Sequence, residues 1–168
     1  MKKICLLLLF ALLSISANAQ YNTMTPRDDY KSAFSGTDSN FSWSRTCETE
    51  LGRSQMIVEI AKHITITTVV ENMVIGKIED WTPGAFASMS NGRLPWDGST
   101  IKADVTYILS DSGYIVTASR IYFLNEALDK SYLPVYSVIY NKYGELRQRG
   151  DGDLRYFDNA FCDILILE

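Results

Sequence analysis

From Phe41 onwards, apolar and polar positions along the chain recur at one of two spacings. Phe41, Trp43, Arg45 and Cys47 alternate with Ser42, Ser44 and Thr46, which predicts a short strand. Between Gly52 and His63 the period lengthens. Met56, Ile57, Ile60 and Ala61 fall on one helical stripe while Arg53, Glu59 and Lys62 fall elsewhere, with Ser54 as the expected N-cap. The run Ile64, Thr65, Ile66, Thr67, Thr68, Val69 and Val70 is β-branched throughout, so a helix would restrict every side chain and a strand is favoured. Glu71-Asn72 reads as a turn into a second extended run, Met73 to Trp81. There Met73, Ile75 and Lys77 share one face, and Val74, Gly76 and Ile78 the other.

Residues 82–99 lose the pattern in a long irregular connection containing Pro83, Gly84, Gly92, Pro95 and Gly98. Ile101 to Leu109 alternates again, Asp111-Ser112-Gly113 marks a hairpin turn, and Tyr114 to Leu124 returns as the partner strand. Val135 to Tyr140 suits either a strand or a helical piece. Leu154, Phe157, Phe161, Ile164 and Leu165 predict a terminal amphipathic helix with Asp153 as its N-cap. Strands and helices mix without a βαβ rhythm. The expected fold is therefore a single α+β domain, a twisted antiparallel sheet of four to six strands with helices packed on one face.

The first nineteen residues belong to a different economy of sequence. Lys2 and Lys3 precede an apolar core from Leu6 to Leu13, and Ala17-Asn18-Ala19 forms an A-x-A site, the layout of a secretory signal peptide. The apolar stretch Ile4 to Ile15 is shorter than the roughly 20 residues of a bilayer span. The expected organisation is a signal peptide at 1–19, a flexible polar leader at 20–40 with room for a short ordered piece at Tyr30 to Phe34, and the α+β domain at 41–168, with a periplasmic or secreted destination. Cleavage leaves 149 residues, enough for one domain, and moves the net charge from −4 to −6. A chain that acidic is a poor ligand for nucleic acid or anionic lipid, and no membrane insertion is expected after cleavage.

After cleavage the cysteines reduce to Cys47 and Cys162. In an oxidising compartment these form a possible disulfide, whose long loop the chain-entropy model values at roughly 4 to 5 kcal/mol. Two buried free thiols are the alternative. His63, the single histidine, stands near a helix end as a dipole partner or surface residue. One histidine and two distant cysteines make no zinc site, and no nucleophile turn or phosphate loop is present. Asp151-Gly152-Asp153 lacks the ligand spacing of a calcium loop, since Arg155 stands where an oxygen ligand is needed. No catalytic residue, metal or cofactor is expected. The candidate site is the aromatic loop carrying Trp81, Phe86 and Trp96, residue types that serve as protein hot spots and sugar-stacking platforms. The alternative is that these aromatics fold back as core.

From Gly52 to Phe123 the order is a helix, a β-branched strand, the step Val74-Ile75-Gly76-Lys77, and the hairpin of Ala103-Asp104-Val105-Thr106-Tyr107 against Tyr114 to Phe123. This order resembles small exported bacterial domains of unknown function with a TATA-box-binding-protein-like fold. The resemblance implies a curved antiparallel sheet; it carries over no functional residue. The expected function is an exported, non-enzymatic binding or accessory module for a protein or glycan partner. The alternatives are a periplasmic inhibitor or immunity-type protein that neutralises a partner protein, and a hydrolase with an unrecognised carboxylate site.

The A-x-A site places the mature N-terminus at Gln20. Intact mass spectrometry of exported protein should show the chain starting there, and a retained apolar segment or a lipid adduct would refute the processing.

Overall fold

The structure, a computed structural model, describes residues 31–83, 100–125, 131–148 and 150–167. The proposed signal peptide, Phe86 and Trp96 lie outside them. The strands are β1 (Phe34–Ser35), β2 (Ser42–Glu48), β3 (Thr65–Val70), β4 (Met73–Trp81), β5 (Thr100–Ser110), β6 (Gly113–Asn125) and β7 (Ser131–Pro134). The helices are α1 (Arg53–His63), α2 (Val135–Ile139) and α3 (Gly150–Leu165), with a 3-10 turn at Asp38–Asn40. All seven strands join one antiparallel sheet in the order β1-β2-β6-β5-β4-β3, and β7 pairs with the far end of β6.

The alternation read from the sequence sets the two faces of this sheet. Val74 and Ile78 of β4, Ile101, Ala103, Val105, Tyr107 and Leu109 of β5, and Tyr114, Val116 and Ala118 of β6 are buried in one core. Met56 and Ile60 of α1, Val135 and Ile139 of α2, and most of α3 join the same core, so the helices cover that face. The intervening strand positions are half-buried or exposed. Gly76 shares the covered face with Val74 and Ile78 and leaves no room for a side chain, since a Cβ there would stand 2.6 Å from the Thr65 carbonyl oxygen.

Several local expectations shift. The sheet has seven strands rather than four to six, because two short pieces, β1 and β7, add to its ends. β1 falls inside the stretch whose polar composition marks it as leader. Phe34 provides the reason, stacking on Phe41 with ring centroids 5.1 Å apart and meeting Phe161 edge-on at 6.0 Å. Helix α1 is capped at Gly52, not Ser54, and the Gly52 amide donates to the Gln55 side chain at 2.9 Å. Val135–Ile139 is helical. Helix α3 starts three residues ahead of Asp153, which lies buried in its first turn instead of capping it. Gly150 permits the earlier start, since a Cβ there would meet Leu146 Cγ at 2.7 Å and the Ile139 carbonyl oxygen at 2.8 Å.

The contact that seats α3 on the sheet is polar. Asp158 is 2% exposed, and its carboxylate accepts from Trp43 Nε1 at 2.7 Å and from Arg45 Nη2 at 2.9 Å. Phe161, one turn on, stacks against Trp43 with centroids 5.6 Å apart. Farther along, the Tyr107 hydroxyl donates to the Leu165 carbonyl oxygen at 2.9 Å, and the Leu167 amide donates to the Tyr114 hydroxyl at 2.7 Å. Burial pushes both phenols up, Tyr114 to about 12, because a phenolate would be poorly solvated here.

Trp43 is fully buried, so deleting the Asp158 carboxylate strands its indole N–H without an acceptor. Asp158→Ala should lower unfolding stability by about 3 kcal/mol in urea titrations. Asp158→Asn, which keeps one acceptor oxygen, should lose less. A loss in Asp158→Ala below about 1 kcal/mol would show that the carboxylate does not hold the helix.

Candidate functional site

The face of the sheet opposite the helices is uncovered among the described residues, and its side chains follow from strand register. Val70, Met73, Ile108 and Ile115 are consecutive cross-strand neighbours on β3, β4, β5 and β6. Val70, Ile108 and Ile115 are each more than 40% exposed, so an aliphatic row crosses one end of this face. The next row is Ile75, Thr106, Thr117 and Ser44, where the Ser44 and Thr117 hydroxyls are 3.0 Å apart. Beyond it come Lys77, Asp104 and Ser119, and the surface becomes charged.

The charged end contains a recess of about 430 Å³, lined chiefly by Lys77, Glu79, Lys102, Asp104, Arg120 and Tyr122. Two β-bulges create it. On β6 an extra residue lies opposite the Lys102–Asp104 segment of β5, and Arg120 there has φ +49°. On β4 an extra residue lies between Ile78 and Trp81, and Asp80 there has φ +51°. Both are non-glycine residues in the left-handed region, a conformation found at sites where the surrounding structure fixes it. The bulges flank β5 from either side and aim charged side chains across it. Arg120 forms an ion pair with Asp104. Asp80 accepts from the Tyr132 hydroxyl at 2.8 Å, which holds that phenol above its usual range, and Lys102 Nζ sits 3.2 Å from the Tyr132 ring centroid. The recess is therefore lined by three cations and two carboxylates, of which Arg120 and Asp104 are paired and Lys102 lies over Tyr132.

Each bulge also inverts the alternation. On β6 the buried positions run Tyr114, Val116 and Ala118, then Ile121 and Phe123. On β4 they run Val74 and Ile78, after which Trp81 turns toward the helix side, with its ring centroid 6.3 Å from that of Phe161. Trp81 is half-buried there and does not point onto the open face. Of the three aromatic candidates it alone lies within the described residues. The recess escaped the strand pattern because Arg120 falls where strict period two expects an inward side chain; that polar intrusion was the available signal.

Cys47 and Cys162 are both half-buried free thiols in this structure. His63 is exposed in the last turn of α1. Among the described residues no group of three or more histidine, cysteine, aspartate or glutamate side chains is placed to hold a metal. No helix among them is long and apolar enough to cross a membrane.

No protein-family model matches the chain, and no curated protein matches it by sequence. Solved structures do. A DUF4468 family protein from Bacteroides ovatus ATCC 8483 superposes with a TM-score of 0.50 at 15% identity, covering 79% of this chain and 88% of that one. A TBP-like protein from Parabacteroides distasonis ATCC 8503 gives a TM-score of 0.44 at 16% identity, covering 77% of this chain and 93% of that one. The resemblance to domains of unknown function read from residues 52–123 thus meets a DUF4468 neighbour at the level of the fold. At these identities the likeness concerns the fold.

The bulge at Arg120 makes a direct mutational test. Arg120→Asn should keep thermal stability within about 1 kcal/mol, because asparagine tolerates positive φ, whereas Arg120→Val should lose about 2 kcal/mol through β-branched strain. Equal losses in the two variants would remove the strained bulge from the site.

Proposed function

We propose that this chain is an exported, non-enzymatic binding module whose partner, another exported protein, docks on the helix-free face of the sheet. The observation that carries this reading is the surface composition of that face. An aliphatic row of Val70, Met73, Ile108 and Ile115 shares this face with a charged recess built by two bulges, with one mixed cross-strand row between them. An apolar strip bordered by fixed polar groups is the anatomy of a protein interface. A glycan is served less well, because the described aromatics at the recess are tyrosines and the Tyr132 ring already carries Lys102. The recess also suits binding better than hydrolysis. Glu79 and Asp104 stand among Lys77, Lys102 and Arg120, with Asp104 tied to Arg120, and not as an isolated acid pair. Should the partner be a toxin or hydrolase, the same docking makes this chain its inhibitor.

Export rests on the signal-peptide pattern of residues 1–19, and the acidic balance of the remaining chain argues for protein over nucleic acid.

Capture from periplasmic extract by immobilised protein tests the face as well as the partner. Proteins captured by the wild type should be lost from Ile108→Asp and from the double variant Lys77→Glu/Arg120→Glu. They should be retained by Val58→Asp, which alters an exposed position on α1. Capture that survives the first two variants, or disappears with the third, would overturn the assignment of the face.

A further inference from the structure

We propose that Cys47 and Cys162 are a thiol–disulfide couple that, when oxidised, fastens α3 to β2. This inference concerns the covered face of the sheet and does not depend on the docking reading. Its argument begins at Asp158. Trp43, Arg45 and Cys47 occupy successive positions on the helix side of β2, and Asp158 binds the first two. From Arg45, one step of the strand period, about 6.6 Å, leads to Cys47. From Asp158, one helical turn, about 6 Å, leads to Cys162 on the same stripe of α3. The two steps have nearly the same length, so the thiols meet if the elements run in the same sense.

The hydrogen bonds farther along show that they do. Tyr107 lies in the cross-strand row of Val116 and Arg45, and its hydroxyl reaches the Leu165 carbonyl oxygen. Tyr114 is the direct cross-strand partner of Cys47, and its hydroxyl receives the Leu167 amide. Helix α3 thus starts from Asp158 at Trp43 and Arg45 and its C-terminal end reaches the Cys47 row at Tyr114, with Cys162 between these anchors in sequence. The electrostatics agree with this placement. The Cys162 thiol is pushed up first by burial, with Arg45 opposing and Asp158, Asp163 and Cys47 adding to the rise. Cys47 in turn is among the groups that raise the Tyr114 phenol. Each cysteine therefore lies within electrostatic reach of the groups that surround the other, and each is half-buried, open to a small oxidant.

The chemistry is ordinary exchange with an external disulfide, either a small-molecule disulfide or that of an oxidase protein. One thiol loses its proton and attacks the oxidant's disulfide, forming a mixed disulfide and releasing one reduced thiol. The second cysteine loses its proton, attacks the mixed disulfide, and releases the other. Two protons and two electrons leave the protein, and the oxidant's disulfide becomes two thiols. Because the Cys162 thiol is held above its usual range, it is mostly protonated at neutral pH. The closure should accelerate as pH rises.

The test equilibrates the full chain with mixtures of glutathione and glutathione disulfide, folded or in urea, quenches in acid, unfolds, and alkylates. Peptide mapping then reads each cysteine separately. The folded chain should close the Cys47–Cys162 bridge at a lower ratio of glutathione disulfide to glutathione than the chain in urea, with neither cysteine alkylated. A Cys47→Ser variant should carry a glutathionyl group on Cys162 under the same conditions. Equal ratios for folded and unfolded chain would overturn the proposal. So would a folded protein that keeps both thiols, or one that carries two mixed disulfides in place of one bridge.

Discussion

A carboxylate taken out of water must find compensating donors, and the position of Asp158 in this fold is dictated by that requirement. At 2% exposure it retains little solvation, so its partners on β2, the Trp43 indole and the Arg45 guanidinium, define where α3 can lie. An apolar helix face alone would tolerate sliding along the sheet by a turn, since Leu154, Phe157, Phe161 and Ile164 repeat with the helix. Two directional hydrogen bonds to one carboxylate remove that freedom. Once the register is set, Phe161 stacks on Trp43, and the Tyr107 and Tyr114 hydroxyls find main-chain partners at the other end of α3.

That arrangement divides the molecule into two chemically different faces. Helix α3 contacts both other helices, and the inward-facing apolar residues of β4, β5 and β6 are buried in one core on that side. The other side keeps what alternation leaves it. In a purely regular sheet those residues would follow strict period two along every strand. The bulges at Arg120 and Asp80 change this by twisting β6 and β4 on either side of β5, which opens the recess and redirects charged side chains across Lys102. The strain of positive φ at two non-glycine residues is stabilised locally by the Arg120–Asp104 ion pair and the Asp80–Tyr132 hydrogen bond. The recess is thus as much a product of backbone irregularity as of composition.

The regular parts of the fold were legible because their physics is local. Seven β-branched residues in succession exclude a helix at β3, and Asp111-Ser112 leaves β5 and β6 few options other than a hairpin. The irregular parts depend on partners remote in sequence. Phe34 looks like part of a polar leader until Phe41 and Phe161 surround it. Asp158 looks like a solvated helix residue until Trp43, 115 positions away, donates to it. Gly150 reads as punctuation, and only the approach of Leu146 and Ile139 explains a helix start there. The candidate site was the least legible element. Aromatic content drew attention to Trp81, which turns toward Phe161, whereas the recess is marked by breaks of parity at Asp80 and Arg120.

The two faces also separate the residues that hold the fold from those left exposed. Residues that stabilise the domain, from Trp43 and Asp158 to Tyr107 and Tyr114, all lie on the helix side, as do Cys47 and Cys162. The exposed aliphatic row and the charged recess make few contacts that the core requires, so their side chains can be replaced with small effects on stability. A bridge between β2 and α3 would stiffen the covered side without touching the open one. That separation leaves the open face free to vary in side chains while the covered face holds the domain together.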